Sequence, residues 1–264
     1  MLIGYPPPAV TGIAIAGATW LTADGGAACY DGKPARKARL SVSTTPAITL
    51  TYAAAFIPRV IAVLGLVGVA VGSTITATTG AGGALGGNSA TATAVKFADG
   101  SIGAWIVTGN TVSTATVKIT IGATGTIDIG EIAAKPAVSL PIMDGWQVAT
   151  IDPSVSSRTR GAQLNTVAQS AYRSLSATLA PMGIDATRNG GLDNGMDLSK
   201  LAVALRGGAR CCAIPHYLDI DTRVLDPAMV NATAIYGVAV TLPDPANVQR
   251  QWSGAQIVVE EVPA

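Results

Sequence analysis

The sequence predicts a mainly β protein, with an antiparallel β-sandwich over residues 1–138 and a β-rich α+β domain over residues 139–264. Three observations lead there. Short runs rich in Val, Ile and Thr recur at fairly even spacing through the first half, separated by glycine and proline turns. No charged residue occurs from Val60 to Val95, a composition that fits buried strands joined by tight turns better than helices. Composition then shifts across Pro136–Gly145, beyond which charges are denser and nearly all cations are arginines, Lys200 being the one lysine. With 264 residues the chain is long enough for two ordinary domains and needs no metal or disulfide to bury a core.

In chain order, the first-half strands are expected at Ala38–Val42, Ala47–Tyr52, Arg59–Leu66, Thr74–Thr79, Thr93–Phe97, Gly103–Val107, Thr114–Ile121 and Thr126–Ile132. In Thr116–Ile121 the alternation is strict, placing Val117, Ile119 and Ile121 on one face and Thr116, Lys118 and Thr120 on the other. One face of that strand is wet. The glycine-rich insert Thr79–Asn88 lacks the Gly-Lys-Ser/Thr and the following helix of a phosphate cradle, so it is expected to be a loop at the sandwich rim. In the second half, strands are expected at Ala171–Leu179, Arg210–Ile214, Ala232–Thr241 and Gln256–Val262. A helix is expected at Asp197–Arg206, where Leu198, Leu201, Ala202 and Leu205 recur at helical spacing, Asp197 serves as N-cap, and Gly207 and Gly208 stop it.

Composition excludes several function classes. Charged residues make up 12% of the chain, against roughly 25% in an average soluble domain, and Lys+Arg 17 against Asp+Glu 16 leaves a net charge of +1. Nothing in that balance attracts nucleic acid or an anionic membrane. Trp20, Trp105, Trp146 and Trp252 are scattered, without the basic and aromatic interleaving that single strands need, and are read mostly as core. The single histidine, His216, and three cysteines are too few for imidazole metal cages, disulfide frameworks or most catalytic triads. No catalytic residue, cofactor or metal is expected. Cys211 and Cys212 are adjacent, a strained spacing for a bridge, so all three thiols are expected reduced, in a protein made in a cytoplasm. The start, MLIGYPPPAV, lacks a basic segment and an unbroken apolar stretch, so export by a secretory signal is not expected. The most apolar run, Val60–Val71, is shorter than the roughly 20 residues of a spanning helix, so no membrane insertion is expected.

Asp185–Asp197 superficially resembles a calcium turn but lacks the spacing of an EF-hand, and its Asp and Asn residues are read as turn formers. Asp219 and Asp221 would share a strand face near His216, a weak metal set; with Asp226 they are also the nearest thing to the paired acids of a hydrolase. Arg158, Arg160 and Arg173 carry more weight. They lie near a turn glycine, and forked guanidinium donors suit subunit contacts, so these three form the candidate subunit interface, set against ordinary solvated charge.

Several stretches together bear a family likeness. TWLTADGGAACYDG, FIPRVIAVLGL, AWIV and TATVKITIGATGTIDIGEIAA, the last with IDIG at Ile127–Gly130, resemble the galactose-binding-like (discoidin-type) jelly roll found in minor tail proteins of long-tailed bacteriophages. GWQVATIDPSVSSRTRGAQ, AYRSL, ATAIYGVAV and IVVEEV resemble the domain that follows it there. The resemblance implies a non-enzymatic virion component of the tail tip or baseplate, assembled in the host cytoplasm, packed against neighbouring tail proteins and against copies of itself in a ring. The rival reading is a carbohydrate- or receptor-binding module of the tail. Against it, the longest rim loop holds only Gly, Ala, Leu, Thr and Asn, so binding of host-surface carbohydrate is doubtful.

Overall fold

The computed structural model describes residues 1–80, 88–109, 111–158, 164–219, 224–242, 245–248, 251–254 and 256–263. The chain is mainly β, a sandwich joined to a β-rich second half, and the described strands pair antiparallel throughout. Three sheets dominate. The outer sheet runs in the order Gly125–Ile129, Ala38–Phe56, Thr114–Ile121, Thr74–Thr79, Ser89–Thr93, with Val10–Trp20 also paired to Ala38–Phe56. The middle sheet runs Glu131–Lys135, Val60–Leu66, Ile102–Val107, Val95–Lys96. The third runs Ala137–Ser139, Leu2–Gly4, Arg210–Ile214, Ile235–Thr241, Gln256–Glu261, Tyr172–Thr178, Gln147–Ile151.

Side-chain alternation stacks these sheets. Ile61, Val63, Ala104, Ile106, Ile132 and Ala134 of the middle sheet meet Leu40, Ile48, Leu50, Ile75, Val117 and Ile119 of the outer one, forming the sandwich core. The alternate residues Val60, Ala62, Leu64, Trp105 and Ala133 point the other way, onto Leu2, Ala137, Cys212, Ile214 and Tyr236 of the third sheet. The middle sheet is therefore covered on both faces, which explains why every residue of Val60–Leu66 and of Glu131–Lys135 is buried. The free face of the third sheet packs Ile3, Val138, Cys211, Ala213, Ile235, Leu175 and Val259 against Leu198, Leu201 and Leu205 of the expected helix. That helix spans Leu198–Leu205, and the Asp197 carboxylate caps it by accepting from the Lys200 N–H at 2.8 Å.

One bulge sets the facing of the strand Val60–Leu66. Its register against Ile102–Val107 shifts between Val63 and Leu66, so Leu66 returns to the sandwich core instead of following Leu64 toward the third sheet. Gly65 sits at that bulge with φ 66°, and a Cβ there would lie 2.8 Å from the Pro34 carbonyl.

Some expected boundaries move. Ala38–Val42 and Ala47–Tyr52 form one continuous strand, Ala38–Phe56, whose pairing to Val10–Trp20 steps from Val42 to Ala47; Pro46, with no N–H to give, lies in that step. The strand expected from Ala232 begins at Ile235, because Pro227–Thr233 is a helix capped by Asp226, whose carboxylate accepts from the N–H groups of Ala228 at 3.0 Å and Met229 at 3.1 Å. The expected boundary at 138/139 falls inside the strand Ala137–Ser139. Leu2–Gly4 pairs with Ala137–Ser139 on one side and Cys212–Ile214 on the other, so the first strand of the chain lies in the third sheet, outside the sandwich. The two halves share a core.

Candidate functional site

The three candidate interface arginines have separate fates. Arg158 ends the strand Val155–Arg158, which pairs only with Leu164–Val167 among the described residues, in a two-stranded arm outside the three sheets. Arg158 is exposed there, beside Val155 at 60% exposure, Leu164 at 62% and Val167 at 58%. Arg160 lies outside the described residues. Arg173 is engaged within the chain: its backbone N–H and Nε both donate to the Glu261 carboxylate at 3.0 Å, its Nη2 pairs with Glu261 Oε1 and reaches the Ala234 carbonyl at 3.0 Å, and its Nη1 reaches the Ala232 carbonyl. With both side chains mostly buried, this pair locks the strand Tyr172–Thr178 to Gln256–Glu261 and to the end of the helix before Ile235.

Other sequence candidates also find places. The segment Asp185–Asp197 folds into two short helical pieces, Ile184–Arg188 and Asp193–Gly195, and Asp193 accepts from Arg59 at 2.9 Å and from the Ser139 N–H at 3.0 Å, clamping the halves together. Asp221 and residues 81–87 of the glycine-rich insert lie outside the described residues. Among the described residues no group of three or more His, Cys, Asp or Glu side chains could hold a metal. Cys29, Cys211 and Cys212 are free and buried; Cys211 faces the helix side of its strand and Cys212 the middle sheet. Burial pushes the Cys211 thiol up to about 11, and the Cys29 and Cys212 thiols up to about 12.

The most unusual chemistry sits where the three sheets meet. Glu131 and Lys135 lie four residues apart on one strand and so share a face, the one turned toward the third sheet. Both are buried, at 3% and 5% exposure. Glu131 Oε2 accepts from the Gly32 N–H at 2.9 Å and Oε1 accepts from the Tyr236 hydroxyl at 3.2 Å. Burial pushes the Glu131 carboxyl up to about 7, against the opposing pull of those two donors and of Lys135. Burial first, and the nearby Glu131 second, raise the hydroxyls of Tyr236 and Tyr52.

Lys135 makes no ion pair and no hydrogen bond from Nζ among the described residues; its recorded contact is with the Tyr236 ring, 5.8 Å from the centroid. Arg210 gives its Nε to the Gly32 carbonyl at 2.9 Å, bracing the same loop from the third sheet. Around these groups lies a cleft of about 260 Å³, walled by Pro7, Pro8, Tyr30 and Tyr52. The sequence reading missed this cluster. The available signal was EIAAK itself, two opposite charges four residues apart in an apolar run that overlaps the end of the expected strand Thr126–Ile132; Gly32, Arg210 and Tyr236 lie too far along the chain to be linked to it by spacing.

No protein-family model matches the chain, and no curated protein matches it.

Proposed function

We propose that this chain is a non-enzymatic structural subunit of a bacteriophage tail, at the tip or baseplate, working by packing against neighbouring tail proteins and copies of itself in a ring. The supporting structural observation is the two-stranded arm of Val155–Arg158 and Leu164–Val167. It carries Val155, Leu164 and Val167 more than half exposed, and among the described residues its strands pair with no strand of the three sheets. Val155 and Val167 pair across the arm on one face, with Leu164 opposite Arg158 on the other, and such exposed apolar side chains gain by burial against a second surface, where a contact of ordinary size would cover roughly 800 Å² on each partner. The sequence resemblance supplies the virion setting. The three stacked sheets supply a rigid platform from which an arm can be presented.

The test replaces Val155, Leu164 and Val167 together by Ser. Since all three are exposed, the melting temperature should stay within about 2 °C of the parent while incorporation into tail particles falls sharply. Normal incorporation of the substituted chain would refute the role of the arm.

A further inference from the structure

We propose that the cleft between the middle and third sheets is a binding site for a small organic carboxylate, held by the Lys135 ammonium and the Arg210 guanidinium. This goes beyond the assembly role and stands independently of it. The first ground is a buried ammonium with no hydrogen-bond acceptor among the described residues. Lys135 is 5% exposed, lines the cleft, and has no acceptor for Nζ among the described residues, although a buried ammonium is ordinarily paired. Glu131, four residues away on the same face, attracts Lys135 through space but makes no ion pair or hydrogen bond with it, its oxygens accepting from Gly32 and Tyr236.

The second ground is the company Lys135 keeps. Arg210 lines the same cleft and spends Nε on the Gly32 carbonyl, leaving its terminal N–H groups without an acceptor among the described residues. An ammonium and a free guanidinium edge on one cleft select an anion, and the planar guanidinium fork matches a carboxylate. Glu131 and Asp31 share the same lining, Asp31 being paired with Arg36, and their negative charge disfavours a dianion, which above neutrality separates a monocarboxylate from phosphate. Tyr30, Tyr52, Pro7 and Pro8 provide apolar wall for the body of the acid, and a volume of about 260 Å³ limits it to a small molecule.

Binding of an anion here is coupled to Glu131. That carboxyl faces Lys135 on its own strand, Asp31, Gly32 and Cys29 on the loop, Arg210, Cys212 and Tyr236 on the third sheet, and Tyr52 on the outer sheet. An arriving carboxylate adds negative charge beside it and so favours its protonated form, giving tighter binding below neutrality and uptake of a proton on binding near it.

The experiment is calorimetric titration of the full chain with benzoate, acetate and inorganic phosphate, at about pH 6 and about pH 8. Benzoate is expected to bind saturably, more tightly at the lower pH and more tightly than phosphate, with Lys135→Met weakening it by about tenfold or more. Should Lys135→Met fail to melt cooperatively, Arg210→Gln makes the same comparison from the other cation. Absence of saturable binding by either carboxylate, undiminished binding in the folded variant, or preference for phosphate would each overturn the assignment.

Discussion

Replacing Glu131 by Gln isolates the energetic effect of the buried carboxyl. In the folded chain Glu131 titrates at about 7, against 4.5 for an ordinary glutamate. The folded state therefore holds the proton through a range where the unfolded chain has released it. The stabilisation due to this group is fully present below about pH 4.5 and is lost as pH rises through about 7, amounting to about 3 kcal/mol at 1.36 kcal/mol per pH unit. Glu131→Gln keeps an oxygen for the Gly32 N–H and removes the titration. Urea unfolding of both proteins from about pH 4.5 to about pH 8 should show the variant gaining about 3 kcal/mol on the parent across that range. The Met1 amine, lowered to about 6 by burial, contributes a slope of opposite sign, but in both proteins, so the difference cancels it. Stability curves that stay parallel across the range would refute a carboxyl titrating near neutrality.

Three shorter predictions concern the frame around it. Arg173→Ala removes one partner of the mostly buried pair with Glu261 and should cost about 3 kcal/mol or more in denaturant unfolding, whereas Arg158→Ala on the exposed arm should cost less than about 0.5 kcal/mol; equal effects would contradict the different placements. Fragments 1–138 and 145–264 should each fail to melt cooperatively alone, because Leu2–Gly4 pairs with Arg210–Ile214 and because Val60, Leu64 and Trp105 are covered by the third sheet; two sharp calorimetric transitions would contradict the shared core. The three thiols should react slowly with a chromogenic disulfide in the native chain and completely after unfolding, since burial holds them at about 11 to 12; rapid native labelling would contradict their burial.

The sequence was most legible where local pattern and tertiary burial agree. The alternation in TVKITI put Val117, Ile119 and Ile121 on one face, and all three are buried in the sandwich. The charge-free run at Val60–Leu66 read as buried strand, and it is covered on both faces. The capped helix at Leu198–Leu205 was legible down to its Asp197 cap. Several strands were missed, among them Gln147–Ile151 and the two strands of the arm, and for three others the physical reason is plain. Leu2–Gly4 and Ala137–Ser139 are three residues each, too short for a period, and exist because they pair with each other and because Leu2–Gly4 also pairs with Cys212–Ile214. Val10–Trp20 dilutes its apolar positions with Ala and Gly, and gains its place from a long pairing with Ala38–Phe56. The cleft was illegible because its contacts span the chain, Glu131 being 99 residues from Gly32 and 105 from Tyr236.

The claim that this chain works as a tail subunit is tested most directly by quantitative mass spectrometry of purified tail particles, paired with native mass measurement of the isolated chain. The expected result is a fixed copy number in the particles, equal to or a multiple of the order of a tail ring, reduced when Val155, Leu164 and Val167 are replaced by Ser. Particles without the chain, together with an isolated chain that stays monomeric beside its intact neighbours, would contradict it.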